Sequence, residues 1–304
     1  MKATKRIITL TAVIALLFSM ASCSLLKKKA NFVQKVIADN IEVTIRDDMT
    51  EVAEIKNDDN YITGYKWDGY GMNITKIEAK DASAIKISGK SGDDLLKTIG
   101  ESNKNASEIK KFGDISYIEF TDTTNKSQDL TSIVYLTEEG YEYYLFEFYT
   151  MPKNGYNYRS EYETIVKSVN MVREPSKTVD ANIYNVVMTL DGDAFEQSTG
   201  TWMCGRYAVT VMNTNLSTKT ASPETFAKAL IANGIKTVDG QKPEIKTTAG
   251  GVPYFEGMAE ELYGTHFVKD INGTLYYIML YTLVPTEEQL KQEFNTIVDG
   301  AHAA

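Results

Sequence analysis

Histidine and cysteine, which often carry catalysis or bind metals, are scarce in this sequence. The 304 residues include two histidines, His266 and His302, and two cysteines, Cys23 and Cys204. We expect His302 to be solvated in the terminal stretch AHAA and His266 to be an ordinary residue of a sheet. A nucleophilic Cys204 needs a base nearby, so we expect a half-buried, unreactive thiol. Because no His/Cys spacing typical of zinc occurs, we predict no metal site.

Two acidic segments, Asn57–Asn60 and Asp191–Asp193, offer the oxygen ligands that calcium prefers. Neither segment completes the spacing of an EF-hand loop, and we interpret both as acidic turns. No glycine-rich phosphate-binding motif and no GxSxG nucleophile motif is present. The sequence therefore predicts no cofactor and no catalytic residue.

A tyrosine and a glutamate two residues apart occur twice, as Tyr117 with Glu119 and as Tyr254 with Glu256. In a strand, a spacing of two places both side chains on one face of the sheet. Such a pair can line a ligand groove, or it can make cross-strand hydrogen bonds that fix the sheet. We keep these four residues as candidates for a ligand groove.

The two tryptophans, Trp67 and Trp202, match each other when the two halves of the chain are aligned. In this alignment Cys204 faces Gly69. A tryptophan present in both halves favours a packing anchor, although an indole ring is also a platform on which a sugar can stack. We add both tryptophans to the candidates for a ligand groove.

The first 22 residues have the three parts of a secretory signal peptide. Lys2, Lys5 and Arg6 come first, followed by the twelve mostly apolar residues Ile7–Phe18. Twelve helical residues span roughly 18 Å, less than the hydrocarbon core of a bilayer at about 30 Å. A basic start, a short apolar run and small residues at the end indicate a signal peptide over residues 1–22.

The segment Met20-Ala21-Ser22-Cys23 resembles the lipobox of bacterial lipoproteins, with Met20 in place of the usual leucine. This resemblance implies cleavage before Cys23 and attachment of a diacylglycerol to its thiol. Residues 23–31 then form a short tether, in which Lys27–Lys29 add attraction to anionic headgroups. We therefore expect a lipid anchor at the extracytoplasmic face of the bacterial cell membrane. An ordinary secretory signal with an incidental cysteine is the alternative.

The charge of the chain bears on its partners. The formal net charge is −9 at pH 7, and no basic stripe with interleaved aromatic residues is present. An acidic surface repels the phosphate backbone, so we expect no nucleic-acid partner. The expected partners are the membrane, through Cys23, and an unidentified protein or small molecule.

The chain repeats itself across its two halves. Five segments of the first half match five of the second in the same order, at offsets of 131 to 137 residues. The matches are Tyr65–Ile77 with Gly200–Met212, Ser91–Ile99 with Ser222–Leu230, Gly113–Phe120 with Gly250–Gly257, Gly140–Thr150 with Gly273–Thr282, and Tyr162–Val169 with Phe294–Ala301. A nearly constant offset over this length indicates a tandem repeat.

Each repeat is predicted to contain several strands, a helix, three strands and a final helix. The predicted helix starts are Ser91 with Asp94, Ser222 before Pro223, and Thr286 with Gln289. Short turns between neighbouring strands require antiparallel pairing. The stretch Gly140–Thr150, GYEYYLFEFYT, is predicted to be a central strand covered on both faces, because both of its faces are largely apolar.

The predicted fold class is therefore α+β, with two tandem repeats that each hold a central antiparallel sheet packed by helices. We predict the first repeat over residues 32–173, a linker over 174–181 and the second repeat over 182–304. The order of the elements and the tyrosine-rich penultimate strand resemble the PsbP/Mog1-type fold of many bacterial lipoproteins, with cystatin-like and other α+β sheets as alternatives. The resemblance implies an αβα sandwich and a binding or accessory role without catalytic residues.

These observations favour a non-catalytic lipoprotein that binds a ligand or a partner at the cell envelope. Two similar domains can form a cleft, and such junctions are preferred binding places. We do not expect an enzyme. One alternative is an envelope hydrolase, for which no pair of carboxylates stands out. The other is the solute-binding lipoprotein of a transporter, a class whose sheets are usually parallel.

Overall fold

The computed structural model describes residues 31–38, 41–53, 62–103, 105–122, 130–150, 158–259 and 261–304. These residues form two compact units. Unit 1 contains the described residues up to Glu78 together with Ser91–Glu174, and unit 2 contains Ala79–Lys90 and Pro175–Ala304. The predicted signal peptide, residues 1–22, and the predicted lipid attachment site Cys23 lie outside the described residues.

Unit 1 contains a seven-stranded sheet and a three-stranded sheet. Its strands are β1 (Phe32–Ala38), β2 (Ile41–Arg46), β3 (Thr50–Glu51), β4 (Thr63–Trp67), β5 (Tyr70–Ile77), β6 (Lys110–Phe112), β7 (Ile115–Asp122), β8 (Leu130–Glu139), β9 (Glu142–Thr150) and β10 (Asn170–Met171). The large sheet has the order β3-β4-β5-β9-β8-β7-β6, and the small sheet has the order β1-β2-β10. All of these pairs are antiparallel.

Unit 2 contains two sheets of the same sizes. Its strands are β11 (Thr178–Ile183), β12 (Val186–Asp191), β13 (Phe195–Ser198), β14 (Thr201–Cys204), β15 (Tyr207–Ser217), β16 (Lys246–Thr247), β17 (Pro253–Ala259), β18 (Leu262–Ile271), β19 (Thr274–Thr282) and β20 (His302–Ala303). The orders are β13-β14-β15-β19-β18-β17-β16 and β11-β12-β20. Adding ten to each strand number of unit 1 therefore gives the strand order of unit 2.

Five helices accompany these sheets in the described part of the chain. They are α1 (Ala79–Ile87), α2 (Gly92–Glu101), α3 (Arg159–Lys167), α4 (Pro223–Ala232) and α5 (Glu288–Gly300). In unit 1, α2 packs against β7 and β8, and α3 packs against β2. In unit 2, α4 packs against β17 and β18, α5 against β12 and β18, and α1 against β14. The fold is α+β, with two seven-stranded antiparallel sheets and few helices.

The central strand β9 explains the aromatic-rich stretch of unit 1. Every residue from Tyr143 to Tyr149 is buried. Tyr144, Phe146 and Phe148 belong to a core shared with β2 and α3, while the residues between them point to the other face of the sheet. The prediction of a central strand covered on both faces is confirmed.

Two of the three predicted helix starts are confirmed. The backbone N–H of Ser91 donates to the Asp94 carboxylate at 2.8 Å, and the Ser222 hydroxyl accepts from the backbone N–H of Thr225 at 3.1 Å. The third is wrong, because α5 begins at Glu288 with Glu287 as its N-cap residue. The Thr286 hydroxyl turns instead toward the carbonyl of Tyr263, at 3.3 Å.

The predicted repeat boundaries differ from the structure at two places. Strand β11 begins at Thr178, inside the predicted linker 174–181, because Thr178–Ala181 pair with β12. Residues 79–90, which fall within the predicted first repeat, belong to unit 2. Ile87 of this segment is buried against Met203 and Ala208, and this packing accounts for the assignment.

The alignment of the two tryptophans is shifted by two residues relative to the hairpin registers. In unit 1 the last pair of the β4–β5 hairpin is Trp67 with Tyr70, and in unit 2 the last pair of β14–β15 is Cys204 with Tyr207. Trp67 therefore corresponds to Cys204 and not to Trp202, which lies two residues earlier on its strand. The predicted match of Cys204 with Gly69 is wrong for the same reason. A shift of two keeps a side chain on the same face, so the sequence pattern alone did not detect it.

Candidate functional site

Trp67 packs under a buried arginine. The guanidinium carbon of Arg46 lies 3.7 Å from the centre of the Trp67 ring, in cation–π geometry. The indole Nε1 donates to Asp48 Oδ2 at 2.9 Å. The rings of Tyr70 and Tyr158 meet the indole edge-on, with centroids 5.8 and 5.6 Å away. One face of Trp67 is thus occupied by Arg46, which makes this tryptophan a packing anchor of unit 1.

Arg46 is the group that organises this region. Its side chain is 2% exposed, and it makes two parallel hydrogen bonds of 2.8 Å to Asp48. Its third nitrogen donates to the Glu161 carboxylate on α3 at 3.2 Å. The hydrogen bonds from Arg46 hold the pKa of Asp48 below its usual range, despite partial burial. Arg46 therefore ties the end of β2 to helix α3 with its charge fully paired.

A chain of aromatic contacts links Trp67 to Tyr117 across one face of the large sheet of unit 1. The successive ring pairs are Trp67–Tyr70, Tyr70–Phe148, Phe148–Tyr135 and Tyr135–Tyr117, with centroid distances of 5.8, 6.3, 5.9 and 5.1 Å. All but Trp67 are buried. Two groove candidates of unit 1 thus belong to one aromatic core.

Glu119 is clamped between two cations. Its carboxylate accepts from Lys110 Nζ on the edge strand β6 at 2.9 Å and forms an ion pair with Arg159, the first residue of α3. The Arg159 guanidinium also lies over the Tyr117 ring, 4.9 Å from its centre. Burial alone raises the pKa of Glu119, but the hydrogen bonds from Lys110 and Arg159 outweigh burial and lower the pKa. We call Lys110, Glu119 and Arg159 the carboxylate clamp of unit 1.

Unit 2 contains the same arrangement. Glu256 accepts from Lys246 Nζ on the edge strand β16 at 2.8 Å and from Lys291 Nζ on α5 at 2.7 Å. Its pKa is lowered by these two hydrogen bonds against an opposing effect of burial. The neighbouring Tyr254 stacks on Phe267 with a centroid distance of 5.5 Å. Lys246, Glu256 and Lys291 form the carboxylate clamp of unit 2, so the repeated Tyr/Glu pair fastens each final helix to its sheet.

The other groove candidate of unit 2, Trp202, packs against the main core of that unit and is partly buried. Its Nε1 is buried and makes no hydrogen bond. It pairs with Val209 in the β14–β15 hairpin, and no arginine comparable to Arg46 stacks on it among the described residues. The two tryptophans therefore have different surroundings.

His266 and Cys204 occupy unreactive positions. His266 is fully buried, stacks on Phe255 at 4.8 Å, and shares a 2.7 Å hydrogen bond between its Nδ1 and the Tyr277 hydroxyl. Burial lowers the pKa of His266 to about 4, so the ring is neutral at pH 7. Burial raises the pKa of the Cys204 thiol. His302 is exposed on β20.

The acidic turn Asp191–Asp193 has a structural role. Asp193 Oδ2 accepts from the backbone N–H of Gly205 at 2.7 Å and from the Ser83 hydroxyl of α1 at 3.4 Å, while Asp191 pairs with Arg206 at 3.1 Å. The other acidic segment, Asn57–Asn60, lies outside the described residues. Within the described ranges, no cluster of three or more His, Cys, Asp or Glu side chains is placed to hold a metal ion.

A buried polar cluster on the other face of the unit 1 sheet was not singled out by the sequence reasoning. Glu147 on β9, Asn73 on β5 and Ser132 on β8 are 4%, 1% and 1% exposed. Glu147 Oε2, both polar atoms of the Asn73 amide, and the Ser132 hydroxyl make no hydrogen bond of normal geometry. We call these three residues the polar cluster. Glu147 is an acid inside an apolar run, which was the one available signal in the sequence.

Comparisons with known proteins give weak similarities in fold. No protein-family model matches the chain, and no curated protein matches it. The solution structure of cyanobacterial PsbP from Synechocystis sp. PCC 6803 is 10% identical, covers 49% of this chain and 97% of its own, and has a TM-score of 0.29. The immunity protein TplEi of the type VI secretion system from Pseudomonas aeruginosa, in complex with the "L" peptide, is 10% identical over 90% of this chain and 98% of its own, with a TM-score of 0.19.

A third structure is the di-domain ARO/CYC StfQ from the steffimycin biosynthetic pathway. It is 8% identical over 75% of this chain and 89% of its own, with a TM-score of 0.13. Scores this low carry no argument about function. Of the helices in the described residues, none has the length and apolar character needed to cross a membrane.

Proposed function

We propose that this protein is a bacterial lipoprotein, anchored through lipid on Cys23 at the extracytoplasmic face of the cell membrane, with a non-catalytic binding role. The observation that carries the anchor is the segment Met20-Ala21-Ser22-Cys23 directly after a basic and then apolar start. A diacylglycerol supplies two acyl chains, which hold a protein at a membrane where one chain barely does.

The contacts of the candidate residues support a non-catalytic role. Glu119 and Glu256 each pair with one cation on the edge strand of the sheet and one cation on the final helix. His266 is buried with a lowered pKa, and the buried Cys204 thiol has a raised pKa, so neither is poised as a base or a nucleophile near pH 7. The groups best suited by type for chemistry are thus committed to holding the fold.

The tandem organisation belongs to the same proposal. We infer that the two units are repeats of one PsbP/Mog1-like αβα domain. The identical strand orders of the two large sheets and the carboxylate clamp present in both units support this inference.

Two other functions compete with this proposal. An envelope hydrolase needs two carboxylates facing one substrate position, whereas Glu119 and Glu256 are each neutralised by two cations. A solute-binding lipoprotein of a transporter usually has parallel sheets, whereas the strand pairs described in both large sheets are antiparallel. Both observations favour a binding lipoprotein of a different kind.

The anchor is tested by labelling cells that express the full chain with a clickable fatty acid. We expect label on the wild-type protein and its recovery with membranes, because the thiol of Cys23 carries the lipid. Cys23→Ser should lose the label and leave the membrane fraction. Cys204→Ala is the matched control, since the only other cysteine is buried in unit 2, and it should keep both properties. Label that persists in Cys23→Ser, or its absence from the wild type, would contradict the anchor.

A further inference from the structure

The polar cluster of unit 1 sits in the middle of a sheet. Asn73 lies directly opposite Glu147 in the β5–β9 ladder. Ser132 pairs with Tyr149 on the neighbouring strand and is therefore a diagonal neighbour of Glu147. Side chains directly opposite each other have Cβ atoms about 5 Å apart, and diagonal neighbours lie about 7 Å apart. The carboxylate, the amide and the hydroxyl thus converge on one region of the sheet face.

No hydrogen bond of normal geometry joins these groups, and each of them keeps a buried polar atom without a partner. An unpaired polar atom in the interior is costly, and an isolated buried charge is more so. Glu147 has no ion pair with any cation among the described residues, although its Oε2 is buried. When Glu147 is ionised, the cluster therefore combines a negative charge with neutral oxygen atoms that still have hydrogen-bonding capacity.

The fold does not require these residues at this place. In unit 2 the equivalent ladder positions hold Met279 for Glu147, Thr210 for Asn73 and Gly264 for Ser132. Met279 opposes Thr210 as Glu147 opposes Asn73, so the two sheets have the same register here. This strand position holds the apolar Met279 in unit 2 and the acidic Glu147 in unit 1. The fold alone therefore does not explain why unit 1 has an acid there.

An aromatic ring lies next to the cluster. Tyr149 follows Glu147 by two residues and faces the same side of the sheet. Its ring rests against the backbone of Gly71, where a Cβ atom would lie 2.1 Å from the ring. An aromatic face close to a carboxylate and neutral oxygen atoms is a typical set of groups for a small cation.

We propose that Glu147, Asn73 and Ser132 bind a compact monocation, either the ammonium group of a small amine or an alkali-metal ion. The carboxylate supplies the charge, and the Asn73 carbonyl oxygen and the Ser132 hydroxyl oxygen complete the ligand set. This inference names a ligand class for the proposed binding role and rests on that role, but it does not involve the anchor at Cys23.

A proton competes with the monocation for the Glu147 carboxylate. Burial raises the pKa of Glu147 to about 7, against the opposing effect of the nearby Asn73 amide and Ser132 hydroxyl, which favour the charged carboxylate. The other titratable groups on this sheet face are Tyr143 and Tyr149 on β9, Lys66 on β4, Lys111 on β6 and Glu138 on β8. Helix α2, packed on β7 and β8, carries Asp93, Asp94, Lys97 and Glu101. Below its pKa Glu147 holds a proton and is neutral, so the apparent affinity for a monocation should fall up to about tenfold per pH unit.

The test uses the full chain carrying Trp202→Phe, so that Trp67 reports the unfolding of unit 1. Urea midpoints are compared at about pH 8 in ammonium, methylammonium, sodium, potassium and tetramethylammonium chlorides of equal ionic strength. Tetramethylammonium, the bulkiest of the five cations and one without an N–H donor, serves as the reference. We expect a higher midpoint in one or more of the small cations, and a much smaller increase at about pH 5, where Glu147 is protonated.

The pattern of cations that raise the midpoint also distinguishes an amine ligand from an alkali-metal ion. A response to ammonium and methylammonium alone supports an amine ligand, and a response to sodium or potassium supports an alkali-metal site. Glu147→Gln and Glu147→Met should each abolish the response, and the second copies the residue that the sheet of unit 2 accepts. Glu142→Gln is the matched control on the same strand, because Glu142 pairs with Lys76 at 2.9 Å.

Two results would overturn the proposal: equal midpoints in all five salts, or a response that survives in both Glu147 variants. The urea measurement is repeated with Cys23→Ser, which removes the proposed lipid attachment site, so that the cation site and the anchor are tested separately. A cation response without any lipid label on the wild type would contradict the anchor alone, and a lipid label without a cation response would contradict the cation site alone.

Discussion

At the residue scale, Arg46 shows why a buried charge can stabilise this fold. Its guanidinium is paired with two carboxylates and stacks on Trp67, so that neither its charge nor its donors are left unpaired. A planar, bidentate group is needed to do this, and a lysine cannot reproduce it. Removing one partner of such a buried network leaves uncompensated charge.

We expect Arg46→Lys to lower the free energy of unfolding of unit 1 by about 3 kcal/mol, because an ammonium group cannot keep the paired bonds to Asp48, the bond to Glu161 and the stack on Trp67 together. The change is measured by urea unfolding followed through Trp67, again with Trp202→Phe in the background. Arg206→Lys in unit 2, followed through Trp202 in a Trp67→Phe background, is the control: its side chain is 51% exposed, and its pairing with Asp191 and Glu293 should contribute below about 1 kcal/mol. Equal small effects of the two substitutions would show that Arg46 acts as a surface charge.

Neither Arg46 nor the polar cluster can be recognised from the sequence, for the same physical reason. Arg46 meets Glu161 across 115 residues of chain, and Asn73 meets Glu147 through sheet register. Periodicity along one strand gives the face of a residue but not its partner on the next strand. Repetition along the sequence marks Trp67 and the Tyr/Glu pairs as candidates. Only the structure shows that Trp67 stacks on Arg46 and that the two glutamates pair with cations on the final helices.

At the element scale, the two carboxylate clamps have the same structural role in the two units. Each joins a residue near the start of a final helix to the edge of its sheet, through Arg159 in unit 1 and Lys291 in unit 2. The Glu119 and Glu256 carboxylates are about a quarter exposed, at 27% and 28%. Ion pairs at this exposure are partly screened by solvent and contribute little to the global free energy of unfolding. We therefore expect them to act locally, on the start of each final helix.

We expect Glu119→Gln to increase amide hydrogen exchange in the first turn of α3 and Glu256→Gln to do so in the first turns of α5, because each helix start loses its ionic tie to the sheet. Each change should leave the helix of the other unit unaffected. Glu224→Gln is the control, since Glu224 forms only an exposed pair with Lys228 within α4. Unchanged exchange in both variants would mean that the clamps do not hold the helices.

The elements that follow local rules were predictable from the sequence. The hairpin turn at Asn272-Gly273 has positive φ angles of 54° and 84°, which asparagine and glycine adopt readily. The start of α2 follows from its capping box. Helix α1 was missed, because its sequence AKDASAIKI has no clear apolar stripe, and its position depends on contacts with residues more than 100 positions later.

At the scale of the whole molecule, the chain is not divided by a single cut. Residues 79–90 come from the first half of the sequence but belong to unit 2. Ile87 is 3% exposed and packs with Met203 and Ala208, and its carbonyl accepts from the backbone N–H of Leu283 at 3.2 Å. Dividing the chain between Glu174 and Pro175 would therefore separate unit 2 from one of its helices.

The consequence can be tested in the full chain with one tryptophan per unit. We expect Ile87→Asp to lower the urea midpoint reported by Trp202, in a Trp67→Phe background, by an amount equivalent to about 3 kcal/mol, because a charge replaces a buried apolar side chain. The midpoint reported by Trp67, in a Trp202→Phe background, should change far less. Ala84→Asp, at an exposed position of the same helix, is the matched control and should leave both midpoints nearly unchanged. If Ile87→Asp instead shifted the Trp67 transition and spared that of Trp202, helix α1 would belong with the half of the chain that encodes it. The two units would then be contiguous in sequence.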